Sequence, residues 1–392
     1  LYRQVRYLTF LKDVAMLSVT TFGGPQAHIA HFMRVLVEKR KYLSEDDLLE
    51  INALCQVLPG PTSTQTLSAI GFRIGGPNLA YLTLLIWILP AVILMTVAGI
   101  LITLFQGDMS FNFTGFVPAM AVGFVSYAAY SMAVKSVNTR TGVILMIAAG
   151  VVSYFIRSPF FYPAAILLAG FVTAFKYKEH PKKDKIPMNI RWENFLLWAG
   201  VLIAAATLGH FTDSLPIRLF ENFYRNGSLI FGGGQVLTPL LYTEFVELKA
   251  YLDPKQFLSG YAIAQSLPGP VFSFSSYIGA LSMQKAGADM GGQIIGAFTS
   301  AAGIFLPGTF LIFFLIRFWD SLKKYRAVRA SLEGITAASA GLVAAAAVFL
   351  FQPLDNTFLN YAFTIGTFAL LAFTKIPSGI IIVIGLLLGL VL

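Results

Sequence analysis

Charge and cysteine are what this 392-residue chain has least of. Only 12% of its residues are charged, about half the roughly 25% typical of soluble domains. That leaves too little polar surface to cover soluble domains of this total length. The single cysteine, Cys55, excludes a disulfide scaffold, a Cys-rich zinc site and a cysteine-ligated iron–sulfur cluster. The four histidines, His28, His31, His180 and His210, form no HExxH pair, which removes a zinc protease. No GxxxxGK(S/T) phosphate loop is present, so nothing points to a built-in ATPase. Charge is missing locally as well: residues 77–107, 291–316, 334–354, 356–374 and 376–392 contain no Asp, Glu, Lys, Arg or His.

What is abundant is apolar. Hydrophobic residues make up 56% of the chain and mean hydropathy is +0.72. A bilayer-spanning helix takes about 20 mostly apolar residues, and the uncharged runs meet or approach that length. Spans are expected at 78–106, 114–134, 141–156, 159–175 and 194–212, then at 291–316, 330–351, 358–374 and 376–392. The net charge of +9 sits in short loops between apolar segments, where orientation bias explains it and nucleic acid is not implied as a partner. The first 76 residues differ. Leu1–Phe22 is apolar but interrupted by Lys12 and Asp13, which is wrong for a secretory signal. Pieces 25–37, 45–58 and 62–76 are too short to cross a hydrocarbon core of about 30 Å. They read as half-helices whose breaks must be covered by protein or water.

The chain also repeats itself. At an offset of 209 residues, Phe22-Gly23-Gly24-Pro25-Gln26 falls on Phe231-Gly232-Gly233-Gly234-Gln235. Glu38 meets Glu247, Tyr42-Leu43 meets Tyr251-Leu252, and Leu58-Pro59-Gly60-Pro61 meets Leu267-Pro268-Gly269-Pro270. The match resumes later with Leu89-Pro90 against Leu306-Pro307. Such self-similarity reads as a duplication, in which 194–212 alone has no counterpart. If each broken-helix block enters and leaves from one side and four spans follow, the odd span inverts the second copy. With the N-terminus inside, most of the 28 Lys and Arg lie on the inner side, including those of 176–191 and 317–329. A parallel repeat would send one of those basic loops outside.

The expected architecture is therefore an all-α polytopic membrane protein. It has two inverted repeats with broken, re-entrant helices, joined by one extra transmembrane helix. The N-terminal repeat covers 1–175, with its broken block at 1–76 and four spans at 78–175. A basic loop and linker helix cover 176–213, and the C-terminal repeat covers 214–392. The N-terminus is placed in the cytoplasm and the C-terminus in the periplasm.

Discontinuous helices at matching places in two halves point to a transporter's binding site. In Pro59-Gly60-Pro61-Thr62-Ser63-Thr64-Gln65, proline ends one helix and pre-sets the first turn of the next, and glycine permits the tight turn. Thr62, Ser63 and Thr64 then place hydroxyls beside the unpaired N–H groups of a helix start, an anion site. Gly269 and Pro270, with Ser273, Ser275 and Ser276, form a second such end. Gly23, Gly24, Pro25 and Gln26, and their counterparts Gly233, Gly234 and Gln235, expose further backbone or serve close helix packing. Arg73 and Arg225 are the charges in these blocks best placed to complement an anion. His28 and His31, at i,i+3 spacing, carry protons or are polar interior residues satisfied by neighbours. No metal site and no cofactor are called for.

At these motifs the chain resembles the chromate ion transporter family. The resemblance rests on Phe22-Gly23-Gly24-Pro25-Gln26-Ala27-His28-Ile29, on Cys55-Gln56-Val57-Leu58-Pro59-Gly60-Pro61-Thr62-Ser63-Thr64-Gln65 and on the second-half copies. Tyr42 and Tyr251 stand where the family pattern has tryptophan. The resemblance implies export of chromate across the bacterial inner membrane, with sulfate as the natural look-alike anion. It implies the anion and the lipid bilayer as partners, and a homodimer is compatible with it. Moving one charge across 100 mV is worth about 2.3 kcal/mol, so a dianion leaving a negative interior needs no ATP. The competing readings are a proton- or sodium-coupled antiporter using Glu38, Glu247 and the histidines, and a membrane-embedded lipid hydrolase, for which no nucleophile–base set is evident.

Overall fold

In the computed structural model, described for residues 7–105, 115–179, 190–231, 236–322, 325–374 and 376–391, all regular elements are helical. In chain order they are α1 (Tyr7–Thr20), α2 (Gly24–Phe32), α3 (Glu45–Val57), α4 (Thr62–Phe105), α5 (Val117–Ser136), α6 (Arg140–Phe155), α7 (Phe161–Ala174) and α8 (Glu193–Phe211). There follow α9 (Leu215–Leu229), α10 (Leu237–Tyr242), α11 (Pro254–Ser266), α12 (Phe274–Lys285), α13 (Met290–Leu315), α14 (Trp319–Leu322), α15 (Arg326–Phe351), α16 (Phe358–Phe373) and α17 (Ser378–Val391). The chain is a multi-pass membrane protein. Five stretches, Thr62–Leu104, Val117–Lys135, Glu193–Phe211, Met290–Leu315 and Arg326–Phe351, are long and apolar enough to cross a bilayer. Helices α6, α7, α16 and α17 are apolar but only 14 to 16 residues long, about 21–24 Å. Their bounds lie within about three residues of the short spans expected there, which Arg157-Ser158-Pro159 and Lys375-Ile376-Pro377 keep apart.

Local chemistry explains the breaks. Ser44 caps α3 by accepting from the Asp47 amide at 3.1 Å, and Asp47 accepts from the Ser44 amide at 3.3 Å. Glu45, Asp46 and Asp47 then suit the positive end of that helix. Helix α4 loses helical geometry at Gly75 (φ −145°) and Gly76 (φ 73°), and Pro77 starts its second part. Residues 62–74 are thus a half-helix and 77–105 a span.

Matching positions behave alike. Helices α2 and α10 each run into a π-helical turn, Met33–Lys39 and Thr243–Leu248. These turns close with Arg40 N to Val35 O and Lys249 N to Glu244 O, both 3.0 Å. Left-handed residues follow, Lys41 (φ 55°) and Ala250 (φ 48°). Tyr42 N then donates to Leu36 O, and Tyr251 N to Phe245 O, both at 2.8 Å.

The chain divides into two compact units. Unit 1 holds residues 1–108, 191–229 and 263–317. Within it α13 packs on α9, α12 and α4, and α4 also packs on α1 and α3. A half-buried ion pair ties the segment after α2 to α1: Asp13, on α1, accepts from Arg40 Nη2 at 2.7 Å and from the Tyr42 hydroxyl at 2.6 Å. Unit 2 holds residues 109–190, 230–262 and 318–392. Its centre is α15, which packs on α5, α6 and α7. A Cβ at Gly341 would lie 2.0 Å from the Met146 carbonyl oxygen, so α15 and α6 meet backbone to backbone. Arg157 holds Glu247 at 2.8 Å and the Gln352 side-chain oxygen at 2.7 Å.

Candidate functional site

The first Pro-Gly-Pro break lies wholly in unit 1. Leu58 is extended after α3, Gly60 takes φ 114°, and α4 starts at Thr62. A Cβ at Gly60 would meet Gln65 Nε2 at 3.0 Å and Gly308 Cα at 3.3 Å, so the close approach of this turn to α13 requires glycine. Thr62, Ser63, Thr64 and Gln65 are all buried, at 5%, 3%, 1% and 1% exposure. Burying four polar side chains at a helix start in an apolar protein is costly unless each has work to do.

Three of them have defined protein contacts. Ser63 Oγ pairs with His28 Nδ1 at 2.9 Å. Thr64 Oγ1 accepts from the Trp87 indole N–H at 3.1 Å, which leaves the threonine's own proton to donate. Gln65 Nε2 donates to Pro59 O at 2.7 Å and to Gly308 O at 3.2 Å. The His28 ring stands edge-on to Trp87 at 5.4 Å and near Phe32. Its Nε2 atom is buried and has no hydrogen-bond partner among the described residues.

The second break approaches the same stretch of α4. Gly269 takes φ 96°, and its N–H donates to Thr21 O at 2.9 Å. A Cβ there would lie 3.1 Å from Ala91 Cβ and 4.0 Å from Trp87 O. Trp87 thus touches Thr64 of the first break through its indole and faces Gly269 of the second through its carbonyl. Pro270 leads into a 3-10 turn, Val271–Ser273, before α12 begins at Phe274. Ser273 bonds back to Pro270 O at 2.8 Å, whereas the hydroxyls of Ser275 and Ser276 are buried without a partner among the described residues.

The other expected residues sit as follows. Gly23 (φ 96°) and Gly24 (φ 79°) are left-handed, and Pro25 and Gln26 lie in the first turn of α2, their side chains outside the described residues. Gly233, Gly234 and Gln235 also lie outside the described residues. Arg73 reaches Asp47 at 3.5 Å and Glu50 at 4.0 Å. Arg225 reaches Glu221 at 3.0 Å and Asn222 Oδ1 at 3.3 Å. Both guanidiniums therefore have carboxylates beside them. Glu247 is paired to Arg157 and Glu38 is exposed. Trp87, Thr21 and Gly308 were not singled out from sequence. The signal available for two of them was proximity to the repeated Leu89-Pro90 and Leu306-Pro307.

Comparison with known proteins adds the family. The chromate transporter family model matches residues 8–174 and 217–390. The chain belongs to the chromate transporter family. This family member is 29% identical over 387 residues to a probable chromate transport protein of Synechococcus elongatus, covering 94% of this chain and 91% of the relative. It is 28% identical over 395 residues to a chromate transport protein of Cupriavidus metallidurans, covering 94% and 89%. A chromate transport protein of Pseudomonas aeruginosa is 26% identical over 354 residues, covering 84% and 78%. No solved structure matches this chromate transporter family member.

Proposed function

We propose that this protein exports chromate across the inner membrane by alternating access of two inverted repeats. The anion is held by the helix starts that follow the two Pro-Gly-Pro breaks. The observation that carries this reading is the pair of breaks reaching one stretch of α4, with Thr64 on the Trp87 indole and Gly269 against Ala91. Each break presents hydroxyls at a helix start carrying about half a positive charge. Duplication is supported by the two matched family segments, which start 209 residues apart at 8 and 217. It is supported too by the paired π-turns, the paired left-handed residues Lys41 and Ala250, and the equal bounds of α3 and α11 at that offset. The inside-negative potential drives export, at about 2.3 kcal/mol per charge for each 100 mV.

Labelled chromate entering sealed inside-out vesicles under an interior-positive potential tests the reading. Accumulation is expected, and Thr62→Ala and Ser63→Ala should each cut its rate about tenfold or more, as loss of one hydrogen bond to a charged ligand does. Normal rates in both variants remove this site. No accumulation with the inserted wild-type chain removes the transport reading itself.

A further inference from the structure

We propose that Gln65 selects an oxyanion that still carries a proton, so that hydrogen chromate is moved and the bare dianion is not. The inference rests on the transport reading above and concerns the same site. Gln65 sits on the first break, 1% exposed, with its amide folded back over Pro59. Both partners of its Nε2 group, Pro59 O and Gly308 O, are carbonyl oxygens that can only accept. Chemistry therefore fixes the orientation of the amide, and both of its hydrogens are engaged. Room for it comes from two glycines, since a Cβ would lie 3.0 Å from Nε2 at Gly60 and 2.8 Å away at Gly308. What remains is Oε1, an acceptor, buried and without a hydrogen-bond partner among the described residues.

A fixed, buried acceptor beside an anion site repels the lone pairs of a fully deprotonated oxyanion. It attracts one that brings an O–H, and then the cost of about 1–3 kcal/mol for an unmade buried hydrogen bond disappears. Charge points the same way. Arg73 and Arg225 have carboxylates beside them, so compensation comes largely from helix starts and hydroxyls. Desolvation cost rises with the square of charge, making a dianion about four times as costly as a monoanion. Chromate takes its first proton close to neutrality, whereas sulfate and selenate, of the same tetrahedral shape, stay dianionic until strong acid. The acceptor thus separates anions by protonation state where size cannot. Each turnover then carries one negative charge and one proton outward on the anion, and the proton is released to the external medium.

The test uses the full chain in vesicles at fixed potential, with labelled chromate at two total concentrations across a range of pH, and labelled selenate in parallel. Initial rates are expected to fall on one curve when plotted against hydrogen chromate, dropping about tenfold per pH unit on the alkaline side as that species does. Selenate uptake should be at least about tenfold slower than chromate uptake. Rates that follow total chromate regardless of pH, or selenate carried as fast as chromate, overturn the proposal and leave chromate transport standing. No chromate uptake at any pH, with the protein inserted, overturns both. Gln65→Met keeps the length and removes the acceptor, and should bring chromate and selenate toward parity. An unchanged preference in a Gln65→Met protein that still carries chromate takes the role away from Gln65, and the wild-type rates decide the proton question whether or not that variant folds.

Discussion

Asp13 interrupts the apolar run of the first twenty-two residues, and in the sequence it served only to argue against a signal peptide. In the structure it is 4% exposed and accepts from Arg40 and Tyr42. Burial, reinforced by the Asp13 hydrogen bond, pushes the Tyr42 phenol above its ordinary range, so it keeps the proton it donates. The triad clamps the end of the π-turn to α1 just before α3 starts. At the matching positions of the second half stand Asn222, Lys249 and Tyr251, and Lys249 turns instead to Glu244 at 3.3 Å. Among the described residues the clamp is formed in the first half. Asp13→Asn should destabilise the protein by about 1–3 kcal/mol, since it weakens two charge-assisted bonds while Arg40, 40% exposed, can still reach water. Thermal unfolding in detergent would measure it, and Asn222→Ala, which touches no such clamp, should cost less. Equal losses from the two would mean that the triad is not a clamp.

At the scale of elements, the breaks were legible because proline and glycine act locally. Pro59-Gly60-Pro61 and Gly75-Gly76-Pro77 end and restart helices by rules that need no tertiary partner, and the observed boundaries of α3 and α4 follow them. The π-turns were not legible. Met33–Lys39 and Thr243–Leu248 carry no sequence signature, and 25–37 read as one uninterrupted half-helix. Trp87 was hidden for a related reason: an apolar run gives no hint which of its faces meets a hydroxyl. The glycines separate two kinds of constraint. Gly60 and Gly76 both have positive φ, but only at Gly60 would a Cβ meet atoms, whereas Gly76 has nothing within 4 Å. Gly76→Ala should therefore show backbone strain alone, about 1–3 kcal/mol, and retain transport. Gly60→Ala adds overpacking of about 1–3 kcal/mol against the Gln65 amide and α13, and should abolish transport. Unfolding temperatures and vesicle uptake of the two variants, measured together, distinguish strain from contact.

For the whole molecule, the boundaries that divide the sequence and those that divide the packing do not coincide. The duplication is read as 1–175 and 214–392, yet unit 1 takes residues 1–108 from the first half and 191–229 and 263–317 from the linker and the second. Hydrogen bonds at the proposed site cross the halves in the same way, from Gly269 N to Thr21 O and from Gln65 Nε2 to Gly308 O. A first half expressed by itself leaves Thr21, Gln65 and the Ala91 face of α4 without these partners, at about 1–3 kcal/mol for each buried polar group left unpaired. It also lacks α12 and α13, which pack on α4 in unit 1. Neither half alone should therefore carry chromate. The two co-expressed as separate chains should restore a large share of the intact rate, with the cut placed among Lys182, Lys183 and Lys185, where the sequence is too charged to lie in the bilayer. Uptake by vesicles containing only residues 1–185 would show that one half builds a working site without the other. The convergence of both breaks on Trp87 would then be packing, and the site would have to be sought within a single repeat.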